Sequence, residues 1–277
     1  MADHQQGWQQ KFAQEGIKLP VWAGMTLHDV RRCLIQNLGV MQRCTLEAEA
    51  KNPIIVALDG KSWEEILPTL DQLRTTGCIL KVNDFAFANG FDNVLPDLSV
   101  YGRVMLDLKL HDIKNTIANT CKRIRVHKPW AVTVHASGSK AMMEEAVKTL
   151  EGTSTKVLAV TVLTSFDEAT CEEVYVRKPW DQVMALARIA KEAGAHGLVC
   201  SPEEVKELKR IYPEMTFVVP GVRSPGAAKG DQKRVATPRE ARDDGADHLV
   251  MGRQVLGAED PVKEVERVMT EELGIAA

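Results

Sequence analysis

The stretch Arg103-Val-Met-Leu106-Asp107-Leu-Lys109-Leu-His111-Asp112-Ile113-Lys114-Asn115-Thr116 reads as a strand, a corner and the start of a helix in quick succession. Arg103-Val-Met-Leu106 is apolar enough to enter a buried sheet. Alternate side chains of a strand share a face. That rule predicts Asp107 and Lys109 on one side and Leu106, Leu108 and Leu110 on the other. Asp112 falls just past the strand end, where it could also cap the following helix. Charges beside apolar neighbours must pair or shift their pKa. At an effective dielectric near 20, two unit charges ~4 Å apart interact by ~4 kcal/mol. Such an array is costly unless it serves chemistry. Alone, D-x-K-x-x-D is short, and a buried ion pair bracing a corner would account for it. The flanking sequence decides against that reading.

Working outward, the same strand-then-helix unit repeats. Strands are predicted at 54–58, 78–82, 103–108, 131–135, 156–163, 197–200, 216–219 and 248–251. Helices are predicted at 62–74, 84–95, 113–126, 139–150, 181–193, 202–211, 238–244 and 261–272. Eight such units suit a parallel sheet buried on both faces. Over residues 51–277 a closed (β/α)8 TIM barrel of the α/β class fits better than an open, doubly wound sheet. No G-x-G-x-x-G follows the first strand, which weakens a dinucleotide-binding reading. Residues 1–50 differ in character. Leu27, Val30, Leu34, Leu38 and Met41 fall at spacings of three and four after a candidate cap, Thr26, and so mark one apolar helix face. This predicts an N-terminal helical extension whose stripe covers barrel surface or a second subunit.

Composition narrows the function. The chain has 277 residues, 44% hydrophobic and 26% charged, as expected of one large globular domain. A net charge of −3 without a basic block argues against an electrostatic nucleic-acid footprint. No apolar run approaches the ~18 residues of a membrane span, and the polar start lacks a signal-peptide core. The six cysteines are scattered with no C-x-x-C pair, which speaks against zinc or redox motifs and for reduced thiols in a cytoplasmic protein. Trp63, Trp130 and Trp180 read as packing residues, and Glu203-Glu204-Val-Lys206-Glu207 as a solvated helix face.

Barrel enzymes work at the carboxyl ends of their strands, and polar residues recur there. The first strand delivers Asp59 and Lys61, the second Lys81, Asn83 and Asp84, the fourth His135 and Ser137, and the fifth Thr164 and Ser165. His135 suits a satisfied core histidine and a ligand contact equally. The seventh strand leads into Pro220-Gly221-Val222-Arg223-Ser-Pro-Gly226 and Gly230-Asp-Gln232, and the eighth into Gly252-Arg253 before a short helical turn. Barrels often bind phosphate at these two loops, on backbone N–H groups at a helix start. Arg253 adds a forked, permanently charged donor. The glycine-rich span 221–231 has the composition of a loop that closes over a ligand.

Ile54-Ile-Val-Ala-Leu-Asp59, the 107–116 segment, Val160-Thr-Val-Leu-Thr-Ser165, Pro220-Gly-Val-Arg223, Gly230-Asp-Gln232 and Met251-Gly-Arg253 together resemble the orotidine 5'-monophosphate decarboxylase family. They occur in that family's order across residues 52–272. The resemblance implies a barrel without metal or cofactor that converts orotidine 5'-monophosphate to uridine 5'-monophosphate and carbon dioxide. It implies a Lys81, Asp107, Lys109, Asp112 charge array, with Lys109 protonating the carbon that loses the carboxylate. Asp59 and Lys81 would contact the ribose, Thr164 and Ser165 the pyrimidine, and Pro220, Arg223, Gln232, Gly252 and Arg253 the phosphate end. Ile113 would also line the substrate site. Asp112 and Thr116 would reach into the opposite subunit of a homodimer. Asn83, Asp84 and Lys114 depart from the family pattern. Asn83 and Asp84 would serve as caps of the next helix or would reshape the ribose pocket. Two rivals share part of the signature: a magnesium-dependent sugar-phosphate decarboxylase or synthase of the same superfamily, and a non-catalytic nucleotide-binding relative.

Overall fold

The computed structural model describes residues 52–226 and 234–276. The predicted extension over residues 1–50 and Gln232 lie outside the described residues. Eight parallel strands close into a barrel in sequence order: β1 (Ile54–Ala57), β2 (Ile79–Val82), β3 (Val104–Leu110), β4 (Ala131–His135), β5 (Lys156–Val160), β6 (Gly197–Val199), β7 (Thr216–Val219) and β8 (His248–Met251), with β8 pairing back onto β1. Helices alternate with them: α1 (Trp63–Leu73), α2 (Asp84–Asn89), α3 (Phe91–Leu98), α4 (Lys114–His127), α5 (Lys140–Leu150), α6 (Glu168–Tyr175), α7 (Pro179–Glu192), α8 (Pro202–Ile211), α9 (Pro238–Asp243), α10 (Arg253–Leu256) and α11 (Pro261–Arg267). This is the predicted (β/α)8 architecture. Local signals set many boundaries. Ser62 with Glu65 and Thr237 with Glu240 form reciprocal capping boxes at the starts of α1 and α9. Prolines begin α7, α8, α9 and α11, where a missing N–H costs nothing.

The core has two layers. The larger lies between strands and helices and includes Ile54, Leu80, Leu106, Ile117 and Leu198. The smaller comprises Ile55, Ile79, Met105, Ala131, Leu158, Val218 and Val250. Strand periodicity puts Lys81 two residues beyond Ile79, Asp107 two beyond Met105 and Thr133 two beyond Ala131. Each polar group therefore stands above an apolar plug, at the end of the barrel where the strands finish.

Several expectations need correction. The segment read as one helix over 84–95 is two, α2 and α3, because Gly90 between them has φ +75°. The strand read over 156–163 ends at Val160. Helix α6 was not anticipated. Its signal is Asp167, whose carboxylate accepts the Thr170 N–H at 2.9 Å. The helix read over 261–272 stops at Arg267 and continues as a π-helical turn, Val268–Glu272. Trp180 is 41% exposed and so is not a packing residue, whereas Trp63 packs edge-on against Phe85. Glu204 is not on a solvated face. It is 3% exposed and pairs with the buried Arg234, since neither charge is stable alone in an apolar interior. The described cysteines, Cys78, Cys121, Cys171 and Cys200, are free and buried. No helix among the described residues is long and apolar enough to cross a membrane.

His248 begins β8 with its ring edge-on to Trp130, centroids 4.8 Å apart. Its Nδ1 is buried without a hydrogen-bond partner among the described residues. Burial, aided by the nearby Arg103 charge, pushes its pKa from 6.5 down to about 4. The folded chain therefore holds this ring neutral while the unfolded chain takes up a proton. Its contribution is complete above pH 6.5 and is lost as pH falls toward about 4. His248→Gln should flatten the stability profile in that window by about 2–3 kcal/mol, measured by urea denaturation of both proteins between pH 7 and 4. Parallel profiles for the two would refute this.

Candidate active site

The strand ends β1 to β3 bring together a chain of charges. Lys81 Nζ lies 2.6 Å from Asp59 Oδ2 and 3.2 Å from Asp107 Oδ2. Lys109 Nζ lies 2.8 Å from that same Asp107 oxygen. Asp107 and Lys81 are buried, Lys109 is half-buried and Asp59 is exposed. Burial alone would raise the Asp107 pKa, but Lys81 and Lys109, with hydrogen bonds from Lys109 and Thr133, hold it below the usual carboxylate range. Burial likewise opposes the Lys81 charge, and Asp107 and Asp59 outweigh it, so the Lys81 pKa stands above its ordinary value. Lys81 and Asp107 are therefore both ionised near neutral pH.

Asp107 and Lys109 reach this arrangement by a different route from simple alternation. The β3–β4 register runs Met105 to Ala131 and Leu106 to Val132, then resumes with Leu110 opposite Val134. A bulge intervenes, and Lys109 sits at φ +49°, a left-handed conformation that L residues seldom adopt. The Lys109 N–H donates to Thr133 Oγ1 at 2.8 Å. Thr133 Oγ1 in turn donates to Asp107 Oδ1 at 2.9 Å. Thr133 escaped the sequence reading, although a lone hydroxyl in the apolar run Ala131-Val-Thr-Val134 was its signal.

Asp112 does not join the array within this chain. Its carboxylate is exposed and accepts the Ile113 N–H at 2.7 Å. Ile113 and Thr116 are also exposed, and Ile113 and Asp112 line an open recess of about 830 Å³ together with His111, Asn115, Ser139 and Met142. His111 stacks on His135 with centroids 5.8 Å apart. Burial, together with the neighbouring His111 and Lys109, lowers the His135 pKa, so this half-buried ring is neutral near pH 7.

Asn83 and Asp84 do not cap α2 as anticipated. Asn83 occupies the N-cap position, but its side chain makes no capping bond. Its Nδ2 donates to the Asp107 carbonyl at 2.5 Å. The Asp84 carboxylate accepts the Gly60 N–H at 2.9 Å, bracing the loop that carries Asp59. Both side chains therefore brace backbone that carries the charge array.

On the other side of the mouth, the loops after β7 and β8 are tied together. Val222 bridges to Ala236, and the Arg223 N–H donates to the Ala236 carbonyl at 3.0 Å, closing the base of the β7 loop. The Ser224 N–H donates to Gln254 Oε1 at 3.0 Å. Gln254, Glu264, Arg267 and Glu272 continue that network. Gly221 has φ +82°, a backbone state suited to glycine. A Cβ on Gly252 would lie 3.3 Å from Ala57 Cβ, so the β8 loop runs close against β1. Pro220 and Arg223 are half-buried, and Arg253 is exposed at the start of α10. Thr164 is buried and Ser165 exposed in the loop after β5. Arg234 Nη2 donates to the Leu163 carbonyl at 3.1 Å and so joins that loop to the β7 loop.

Residues 52–268 match the model of the orotidine 5'-phosphate decarboxylase / HUMPS family. The chain is similar to the orotidine 5'-phosphate decarboxylase of Erythrobacter litoralis, at 46% identity over 212 residues, 76% of this chain and 94% of that protein. The protein of the same name from Sphingopyxis alaskensis is 42% identical over 223 residues, 79% and 99% of the two chains. The crystal structure of orotidine 5'-phosphate decarboxylase from Lactobacillus acidophilus aligns with TM-score 0.70 and 35% identity, covering 79% of this chain and 98% of that one.

Asn83→Gly should lower the unfolding free energy by about 1–2 kcal/mol, through one lost hydrogen bond and a more flexible backbone. Asn83→Asp should cost more, because a carboxylate has no proton to offer the Asp107 carbonyl. Chemical denaturation checks both, and equal midpoints for all three proteins would refute the bracing role.

Proposed function

This chain belongs to the orotidine 5'-phosphate decarboxylase / HUMPS family, and from that premise we propose that it converts orotidine 5'-monophosphate to uridine 5'-monophosphate and carbon dioxide in the cytoplasm. The observation that carries the reading is the Lys109 ammonium held 2.8 Å from Asp107 at the barrel mouth. Breaking the bond between the pyrimidine C6 and its carboxylate leaves the electron pair on C6, where resonance offers little relief. A fixed positive charge beside C6 stabilises that pair, and a proton must then arrive there. Lys109 supplies both, as electrostatic stabiliser and general acid. Asp107, anionic and buried, lies on the side of the departing carboxylate, where its negative charge favours loss of the substrate's charge as carbon dioxide leaves.

Lys81 and Asp59 bind the ribose hydroxyls while Lys81 completes the array. Thr164 and Ser165 face the pyrimidine. Pro220, Arg223, Gln232, Gly252 and Arg253 take the phosphate end, remote from the reacting carbon, so that binding energy there orients the ring. The working unit is a homodimer in which Asp112 and Thr116 complete the partner's site and Ile113 lines it. In support, Ile113 is 72% exposed next to Asp112 in the chain, so this segment is accessible to a second copy. The reaction requires no metal or cofactor in this proposal.

Lys109→Ala should reduce turnover by roughly 10⁵-fold, the product of typical general-acid and electrostatic contributions. Binding of uridine 5'-monophosphate should remain measurable by calorimetry. Turnover within tenfold of the parent would remove Lys109 from the mechanism. Spectrophotometric loss of orotidine 5'-monophosphate should proceed equally with and without a chelator. Chelator-dependent loss would favour the magnesium-using sugar-phosphate branch instead.

A further inference from the structure

We propose that Thr133 is a positioning residue for Lys109, holding the β3 bulge in the one geometry that aims both Asp107 and the Lys109 ammonium. The idea rests on the decarboxylase reading for its kinetic consequence but not for its structural content. Between Leu106 and Leu110, three residues of β3 lie opposite a single residue of β4, Thr133. A parallel ladder has no backbone partner for that surplus. The Thr133 hydroxyl substitutes for the missing ladder. It accepts the Lys109 N–H at 2.8 Å and donates to Asp107 Oδ1 at 2.9 Å.

Three features give this contact its consequence. Thr133 is 0% exposed between Val132 and Val134, so water does not replace either bond. Its proton is committed to the carboxylate and a lone pair to the Lys109 amide, so the hydroxyl has a defined orientation. By occupying Oδ1, it leaves Oδ2 as the oxygen that meets Lys81 and Lys109. The rotation of the Asp107 carboxylate, and with it the seat of the Lys109 ammonium, is therefore set from β4. Lys109 pairs with a left-handed backbone at φ +49°, a state that persists only where surrounding contacts over-determine it. Valine matches threonine in shape and lacks the hydroxyl, so it isolates these two bonds.

The test compares Thr133→Val, Thr133→Ala and Thr133→Ser with the full-length parent. Valine and alanine should lower kcat by about 10²-fold, in keeping with a small displacement of a catalytic group, while KM stays within threefold. Serine, which keeps the hydroxyl, should restore kcat to within tenfold of the parent. Hydrogen exchange of the Lys109 amide provides a readout independent of turnover. It should quicken at least tenfold in the valine variant and not in the serine one. A valine kcat within threefold of the parent, or equal losses for serine and valine, would overturn the proposal. So would failure of both valine and alanine variants to fold while serine folds, since the hydroxyl would then serve stability alone. A parent protein inactive on orotidine 5'-monophosphate would refute the decarboxylase reading, and the exchange data would still decide the role of Thr133.

Discussion

The Asp107 carboxylate shared by two ammonium groups is the interaction on which the site depends. Burial by itself favours the neutral form of this acid. Lys81 and Lys109 hold it in the charged form, and it in turn, with Asp59, offsets the burial that disfavours the Lys81 charge. Neither side of the arrangement is stable without the other. A catalyst that must keep a positive charge next to a developing carbanion needs this kind of mutual support, because a lone ammonium in a dry pocket would not persist. Asp59 extends the chain outward to solvent, and Asn83, Asp84 and Thr133 brace it through backbone groups and the second carboxylate oxygen.

The barrel sets this array apart from the arginine-bearing loops. The array arises from β1 to β3, and the arginine-bearing loops follow β7 and β8. Since β8 pairs with β1, the two sides are neighbours around a closed ring rather than opposite ends of a sheet. Closure makes the spacing between them a property of the whole barrel. Buried polar contacts then hold the loops to the scaffold: Arg234 with Glu204 and the Leu163 carbonyl, and Ser224 with Gln254 and Arg267. Such networks suit a site that grips one end of a substrate to orient the other.

Much of this was legible in residue order. Short, near-continuous β-branched runs separated by amphipathic stretches announced the eight units, because burial on both faces demands such runs. The D-x-K pattern announced the array, because charges in an apolar strand need partners. Other features depend on residues distant in sequence. Glu204 looked solvated until Arg234, thirty positions later, came to lie against it. Asn83 looked like a cap, yet its Nδ2 donates to the Asp107 carbonyl and its side chain makes no capping bond. The break at Gly90 was visible as a glycine, but only the path between α2 and α3 made it a corner.

The order of residues alone determined the barrel class, the strand that bears the charge array and the loops that bear the arginines, since periodicity and local turn chemistry act over short distances. Tertiary structure decided how those charges meet. A regular strand would have aimed Asp107 and Lys109 by alternation. Pairing with β4 instead left three residues opposite one, turned Lys109 into a left-handed backbone and handed the surplus hydrogen bonds to Thr133. That outcome depends on the register between two strands, and register is a property of the closed sheet rather than of either segment.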